Sequence, residues 1–132
     1  MDADAIEVFG GAMVGCAGIV TWPNRDTLCA PGWTACTAQQ WVDRRAGAAP
    51  DYNYWNAEDL RYNGGGSANC WVSVAVGSSC GANQPMRVCT AGGDDALGNV
   101  CNWENCGWGA IAPNEYFGGC VGNLTAGTLC CQ

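Results

Sequence analysis

The chain has 132 residues, among them 20 Gly, 11 Cys and 7 Trp, and its 12 acidic residues against 5 basic ones give a formal net charge of -7. All five basic residues are Arg, and the absence of His and Lys excludes Ser-His-Asp and Cys-His sites, imidazole metal ligands, Schiff-base chemistry and a P-loop. The charge repels phosphate backbones and anionic lipid, so we expect no nucleic-acid partner and no membrane insertion. The length suits a single domain over residues 1–132.

Taken in chain order, the first element is a buried strand over the apolar, partly β-branched run Met13–Trp22, closed by the turn signal Pro23-Asn24. The wider apolar stretch from Phe9 to Val20 is too short to span a bilayer and has no basic flank before it, so it reads as part of the folded domain. Thr37 and Gln40 have capping-box spacing, and Gly47 is placed to end a helix, which predicts a helix over 37–46 with Ala38, Trp41 and Val42 on its apolar side. Asn56 as an N-cap, with Glu58 and Asp59 in the first turn, predicts a second short helix ending at Gly64, and the glycines at 64–66 read as a flexible connector.

Cys70–Val76 alternates Cys70, Val72, Val74 and Val76 with Trp71, Ser73 and Ala75, the period of a strand. Gln84–Ala91 is its expected hairpin partner across a Gly/Ser-rich loop. The last third reads as loops until Ala126–Cys131, a short closing strand. The fold class expected is α+β, with one mainly antiparallel sheet flanked by short helices.

Glycine is about twice its usual share of ~7%, so folding loses unusual backbone entropy. The cysteine content falls in the range of disulfide scaffolds, which persist in oxidising compartments, so the expected location is extracellular, after secretion. There is no C-x-x-C pair, and without His a zinc site has no support. Eleven is odd, so at least one cysteine stands outside the intrachain bridges. A buried cysteine on the strand at 13–22 or the strand at 70–76, acting as a small apolar residue, is the plain reading of the odd one. Cys130 and Cys131 are adjacent and should point to opposite sides with different partners. Local bridges Cys29–Cys36 and Cys101–Cys106 are sterically allowed.

Two segments concentrate aromatic rings beside amides and acids. The first offers Tyr54 and Trp55 as a platform with Asp51, Asn53, Asn56 and Arg61 at the rim. The second offers Trp103, Glu104, Asn105, Trp108 and Tyr116. A pyranose presents an apolar C–H face and a rim of hydroxyls, and a flat aromatic ring with directional amides and acids matches both. The ordinary alternative for each Trp is packing in the core. We rank the first segment ahead, because consecutive aromatics cannot all enter one buried face.

Three close carboxylate pairs raise a glycoside-hydrolase alternative. Helix-start charges account for Glu58 with Asp59, and a turn accounts for Asp94 with Asp95, which leaves Glu104 with Glu115. Asp94 and Asp95 lack EF-hand spacing for calcium, so neither metal nor cofactor is expected. Asn123-Leu124-Thr125 is an N-glycosylation sequon.

The C-terminal runs Cys101-Asn-Trp-Glu-Asn-Cys106-Gly-Trp, Pro113-Asn-Glu-Tyr-Phe-Gly-Gly-Cys120 and Asn123-Leu-Thr-Ala-Gly-Thr-Leu-Cys-Cys131, with Cys29–Trp41 in support, resemble a family of small secreted cysteine-rich fungal glycan-binding proteins. The resemblance covers about the last 30 residues and rests on cysteine spacing. It implies lectin-like activity without catalysis, a defence role, an α/β/α sandwich, and a homodimer formed by joining sheet edges. No sugar-contacting residue transfers from it. The expected function is therefore non-catalytic binding of glycans or glycoproteins. A structural or self-assembling extracellular protein is the second reading, and a small carboxylate glycoside hydrolase the third.

Overall fold

The computed structural model describes residues 4–65, 69–74, 76–102, 105–109, 114–120 and 124–132. A hairpin opens the chain, with β1 (Ala5–Gly10) antiparallel to β2 (Met13–Val20), followed by a 3-10 helix over Trp22–Leu28 with Pro23 in its first turn. Next come β3 (Thr34–Ala35), α1 (Ala38–Arg44), β4 (Tyr54–Trp55), β5 (Leu60–Gly64), β6 (Cys70–Val74), β7 (Arg87–Val88), β8 (Cys106–Trp108), β9 (Asn114–Gly118) and β10 (Ala126–Cys131). They form one mixed sheet in the order β1-β2-β10-β4-β7-β9-β8-β6-β5, with β3 pairing to β10 off that path. Two pairings, β4 with β10 and β6 with β8, are parallel.

The expectation of an α+β fold with flanking helices is overturned, and with it the α/β/α sandwich that the resemblance implied. The protein is mostly β, and the helices among the described residues are two segments of seven residues each. One of them was legible. Thr37 caps α1, its side chain accepting from Gln40 N at 3.1 Å while the Gln40 side chain accepts from Thr37 N at 2.8 Å. Ala46 and Gly47 follow at φ 52° and 80° and carry the chain out of the helix.

The helix predicted after Asn56 does not form. Glu58 accepts from Ala38 N at 2.8 Å, so its charge serves the N-terminus of α1 rather than one of its own. The segment instead becomes β5, which pairs antiparallel with β6 in the register Leu60↔Val74 to Gly64↔Cys70. Gly64, at φ 85°, thus closes a hairpin instead of opening a connector. The partner predicted for β6 at 84–91 contributes β7, which lies between β4 and β9.

The closing strand β10 is central, not peripheral. All six of its residues are buried, and it bonds to β2, β3 and β4. Alternation sends its residues to two apolar clusters. Leu129 and Cys131 join the main core with Met13, Trp41, Tyr54, Val72 and Phe117. Cys130 joins Cys16 and Leu28 on the opposite face. Phe9 of β1 and Leu60 of β5 share the main cluster although their strands end the sheet order, so the sheet curls round one core.

Ten cysteines form five disulfides, namely Cys29–Cys130, Cys36–Cys131, Cys70–Cys106, Cys80–Cys120 and Cys89–Cys101. Cys130 and Cys131 do point to opposite faces and to different partners, as adjacency on a strand requires. The local bridges Cys29–Cys36 and Cys101–Cys106 do not form, because Cys29 and Cys36 both bond to β10, Cys106 bonds to Cys70 of β6, and Cys101 bonds to Cys89. The eleventh cysteine, Cys16, lies fully buried on β2, where burial pushes its thiol above the ordinary pKa. A disulfide-rich domain of this kind is compatible with an extracellular setting. No helix among the described residues is long and apolar enough to cross a membrane.

Candidate functional site

The first aromatic segment is core. Tyr54 and Trp55 have no exposed surface, so neither ring offers a face to a ligand. Consecutive residues of β4 alternate across the sheet, and both faces there are covered. Tyr54 packs edge-on to Phe9 at 6.1 Å and donates its hydroxyl to Glu7 Oε1 at 2.6 Å. Trp55 meets Trp22 edge-on at 5.7 Å and donates its indole N–H to Val20 O at 2.8 Å. Burial, followed by the Glu7 contact, pushes the Tyr54 hydroxyl far above its ordinary pKa.

The rim residues of that segment scatter. Asn53 is buried and organises a loop, accepting from Thr90 N and donating to Gly93 O and Asn99 O. Asn56 is also buried, and its side chain has no hydrogen-bond partner among the described residues. Asp51 is exposed and donates its backbone N–H to Glu7, while Arg61 pairs with Asp59 at 3.2 Å. Consecutive aromatics leave no ring exposed here, because β4 has a buried face on each side.

The second segment is partly described. Trp103 and Glu104 lie outside the described residues, as does Asn123 of the sequon. Asn105 is exposed, and Trp108 and Tyr116 are half-buried. β8 and β9 pair antiparallel through Cys106↔Phe117, and α1 packs against β8, which places a polar helix flank beside both rings. Trp108 tilts over Phe117 at 6.1 Å and donates its indole N–H to Gln39 Oε1 at 2.8 Å. Arg45, which follows the last turn of α1, sits 5.1 Å from the Tyr116 ring, within cation–π range. Gln39 and Arg45 are six positions apart, about 9 Å along a helix axis.

Asn114 ties the patch together. Its Nδ2 donates to Asn105 Oδ1 at 3.0 Å, and its Oδ1 accepts from Tyr116 N at 2.7 Å. That second bond supports Tyr116 in the left-handed region, at φ 66°, an uncommon conformation for a residue with a side chain. Glu115 accepts from Arg45 Nε at 2.7 Å with both side chains about 15% exposed, and its carbonyl accepts from Trp41 Nε1 at 2.8 Å. Its carboxylate is therefore engaged by a neighbouring guanidinium.

Gln39 and Arg45 carry no mark of a ligand contact in the sequence, whereas Asn114 and Glu115 adjoin Tyr116 in the second aromatic segment and Glu115 also belongs to the carboxylate pair with Glu104. Only the helix prediction could have hinted at Gln39 and Arg45, and nothing in the sequence shows which strand the helix packs upon.

The other carboxylates have structural duties. Asp95 accepts from Leu97 N, Asn99 N and Asn53 N, and Asp94 is exposed in the same turn. No cluster of three His, Cys, Asp or Glu placed to hold a metal occurs among the described residues. Arg87 is buried, donates to Thr125 O at 2.6 Å and Val100 O at 2.7 Å, and is lowered by burial to about 10.

No protein-family model, curated protein or solved structure matches this chain.

Proposed function

We propose that the protein is a non-catalytic glycan-binding protein of the extracellular space, and that glycans bind at the surface made by β8, β9 and α1. One observation carries the reading. Two half-buried rings, Trp108 and Tyr116, lie beside the helix within a field of amides from Gln39, Asn105 and Asn114 and the Arg45–Glu115 pair. The open part of such a ring can stack on the C–H face of a pyranose, while amides and an engaged ion pair present fixed donors and acceptors to hydroxyls. Hydrogen bonds hold these side chains in place before any ligand arrives, which limits the ordering cost of binding. The resemblance in cysteine spacing to secreted fungal glycan-binding proteins points the same way, although the sandwich fold it implied is not the fold found.

A glycan array probed with the disulfide-intact protein tests it. Retention on a defined set of oligosaccharides, reduced by Tyr116→Ala, is the expected result. An array without ligands would remove the reading.

Self-association is the second reading, favoured by one observation. The edge strand β1 exposes Ile6 and Val8, the latter 71% accessible, and an open apolar edge is suited to pairing with another chain. Sedimentation separates the two, since this reading requires oligomers that Val8→Lys disperses.

A further inference from the structure

On the face of the sheet away from α1, Ile6, Val14, Cys16 and Cys130 form the floor of a concavity whose wall is Ala30 and Trp33, with a volume of about 160 Å³. The strand register builds the floor. Ile6 is opposite Cys16 across β1 and β2, and Val14 is opposite Cys130 across β2 and β10, so four side chains from three strands meet on one face.

The wall is equally determined. Ala30-Pro31-Gly32-Trp33 is a turn in which Trp33 N donates to Ala30 O at 3.0 Å and Gly32 takes φ 84°. Pro in second place and Gly with positive φ in third are the signature of a type II turn. The residue just before it, Cys29, is bonded to Cys130 of the floor. The turn is thereby fixed to the strand that it faces, and Trp33 stays half-buried beside it.

The chemistry of the lining selects the occupant. These six side chains offer aliphatic, sulfur and indole surface, so a hydroxylated or charged ligand would lose its water contacts without replacement. An enclosed apolar cavity of about 150 Å³ lined by aliphatic and aromatic side chains takes up benzene, and this concavity, open on one side, offers a similar volume and an apolar lining. From the matching volume and lining we infer that this concavity is a binding site for one small uncharged molecule built on a single apolar ring, separate from the glycan surface.

Ile6 is 47% exposed, so the outer edge of the floor is open and leaves a mouth through which such a molecule can pass. The observation is independent of the proposed glycan site, which lies on the α1 side and involves none of these residues.

Toluene is a suitable probe, added to the disulfide-intact protein and followed by methyl shifts of Ile6, Val14 and Ala30 and by tryptophan fluorescence. The expected result is saturable binding of one molecule per chain, with shifts centred on those methyls and no response to glucose, a polar ring of similar size. Filling the space by Ala30→Leu should weaken toluene by at least about tenfold, as loss of a matched apolar cavity demands. Val14→Phe fills the same space from the floor and gives the same expectation if the first variant does not fold. The inference is overturned by shifts that do not saturate up to the solubility of toluene, or by undiminished affinity in a folded, filled variant. It is also overturned if the same methyls shift with protein concentration alone while sedimentation finds dimers, for then a second copy covers the face.

Discussion

Removing the two bridges anchored on the Cys130–Cys131 pair should cost more together than the sum of each alone. The bridges span 101 and 95 positions of sequence, yet they are not independent constraints on the unfolded chain. With both present, either one closes only the small ring from Cys29 to Cys36 and back through Cys131 and Cys130. A ring of about 10 residues corresponds to about 2.5 kcal/mol of loop-closure entropy. Once the first bridge is gone, the shortest remaining path for the second runs through Cys80–Cys120 and is about 60 residues long, worth about 4 kcal/mol.

Single losses, Cys29→Ala with Cys130→Ala or Cys36→Ala with Cys131→Ala, should therefore each cost about 2.5 kcal/mol, and the fourfold variant about 6.5 kcal/mol. The packing lost with each pair of sulfurs recurs in both arms of the cycle and largely cancels. Urea unfolding of the four proteins without reductant, followed by tryptophan fluorescence, measures the excess. An excess within about 0.5 kcal/mol of zero would show that these bridges act through native packing and not by confining the unfolded chain.

Gly127→Ala should be strongly destabilising, because a Cβ there would overlap the β2 backbone at Cys16 and Ala17, and a fall in the thermal midpoint against Gly11→Ala, which has open space, checks it. Gly15→Ala should likewise push into the Tyr54 ring and lower the urea midpoint by an amount typical of overpacking, about 1–3 kcal/mol. Glu7 is raised above its ordinary value of 4.5, first by burial, against the lowering effect of the Tyr54 hydroxyl. The folded state thus binds that proton more tightly than the unfolded chain, so this contribution to stability is present at low pH and is lost as pH rises from 4.5 through the folded value. The pH dependence of the thermal midpoint of Glu7→Gln, set beside that of the parent, should lack this decline.

Where the chain announces itself locally, the sequence was readable. The Thr37/Gln40 box requires only four consecutive residues, and α1 starts where it says. The apolar run Ala126–Cys131 is a strand with the bounds expected, although its central place in the sheet depends on β2, β3 and β4 arriving from elsewhere. The failures are all non-local. Glu58 carries the mark of a helix start and fulfils it for another helix, twenty positions upstream. Tyr54 and Trp55 have the composition of a ligand platform, and only the cover on both faces of β4 makes them core. Trp108 and Tyr116 carry no stronger mark than those two rings. Their exposure follows from where α1 settles on β8, which no local pattern encodes.

The most direct test of the account is the affinity of Trp108→Ala for an oligosaccharide retained on the array, measured by titration calorimetry beside the parent protein. Trp108 is half-buried and rests on Phe117 without filling the core, so the variant should keep its cooperative unfolding transition. Losing a stacking ring should weaken binding by about 1–3 kcal/mol, or about 5- to 150-fold. Unchanged affinity in a folded Trp108→Ala protein would contradict the assignment of the glycan site to this surface.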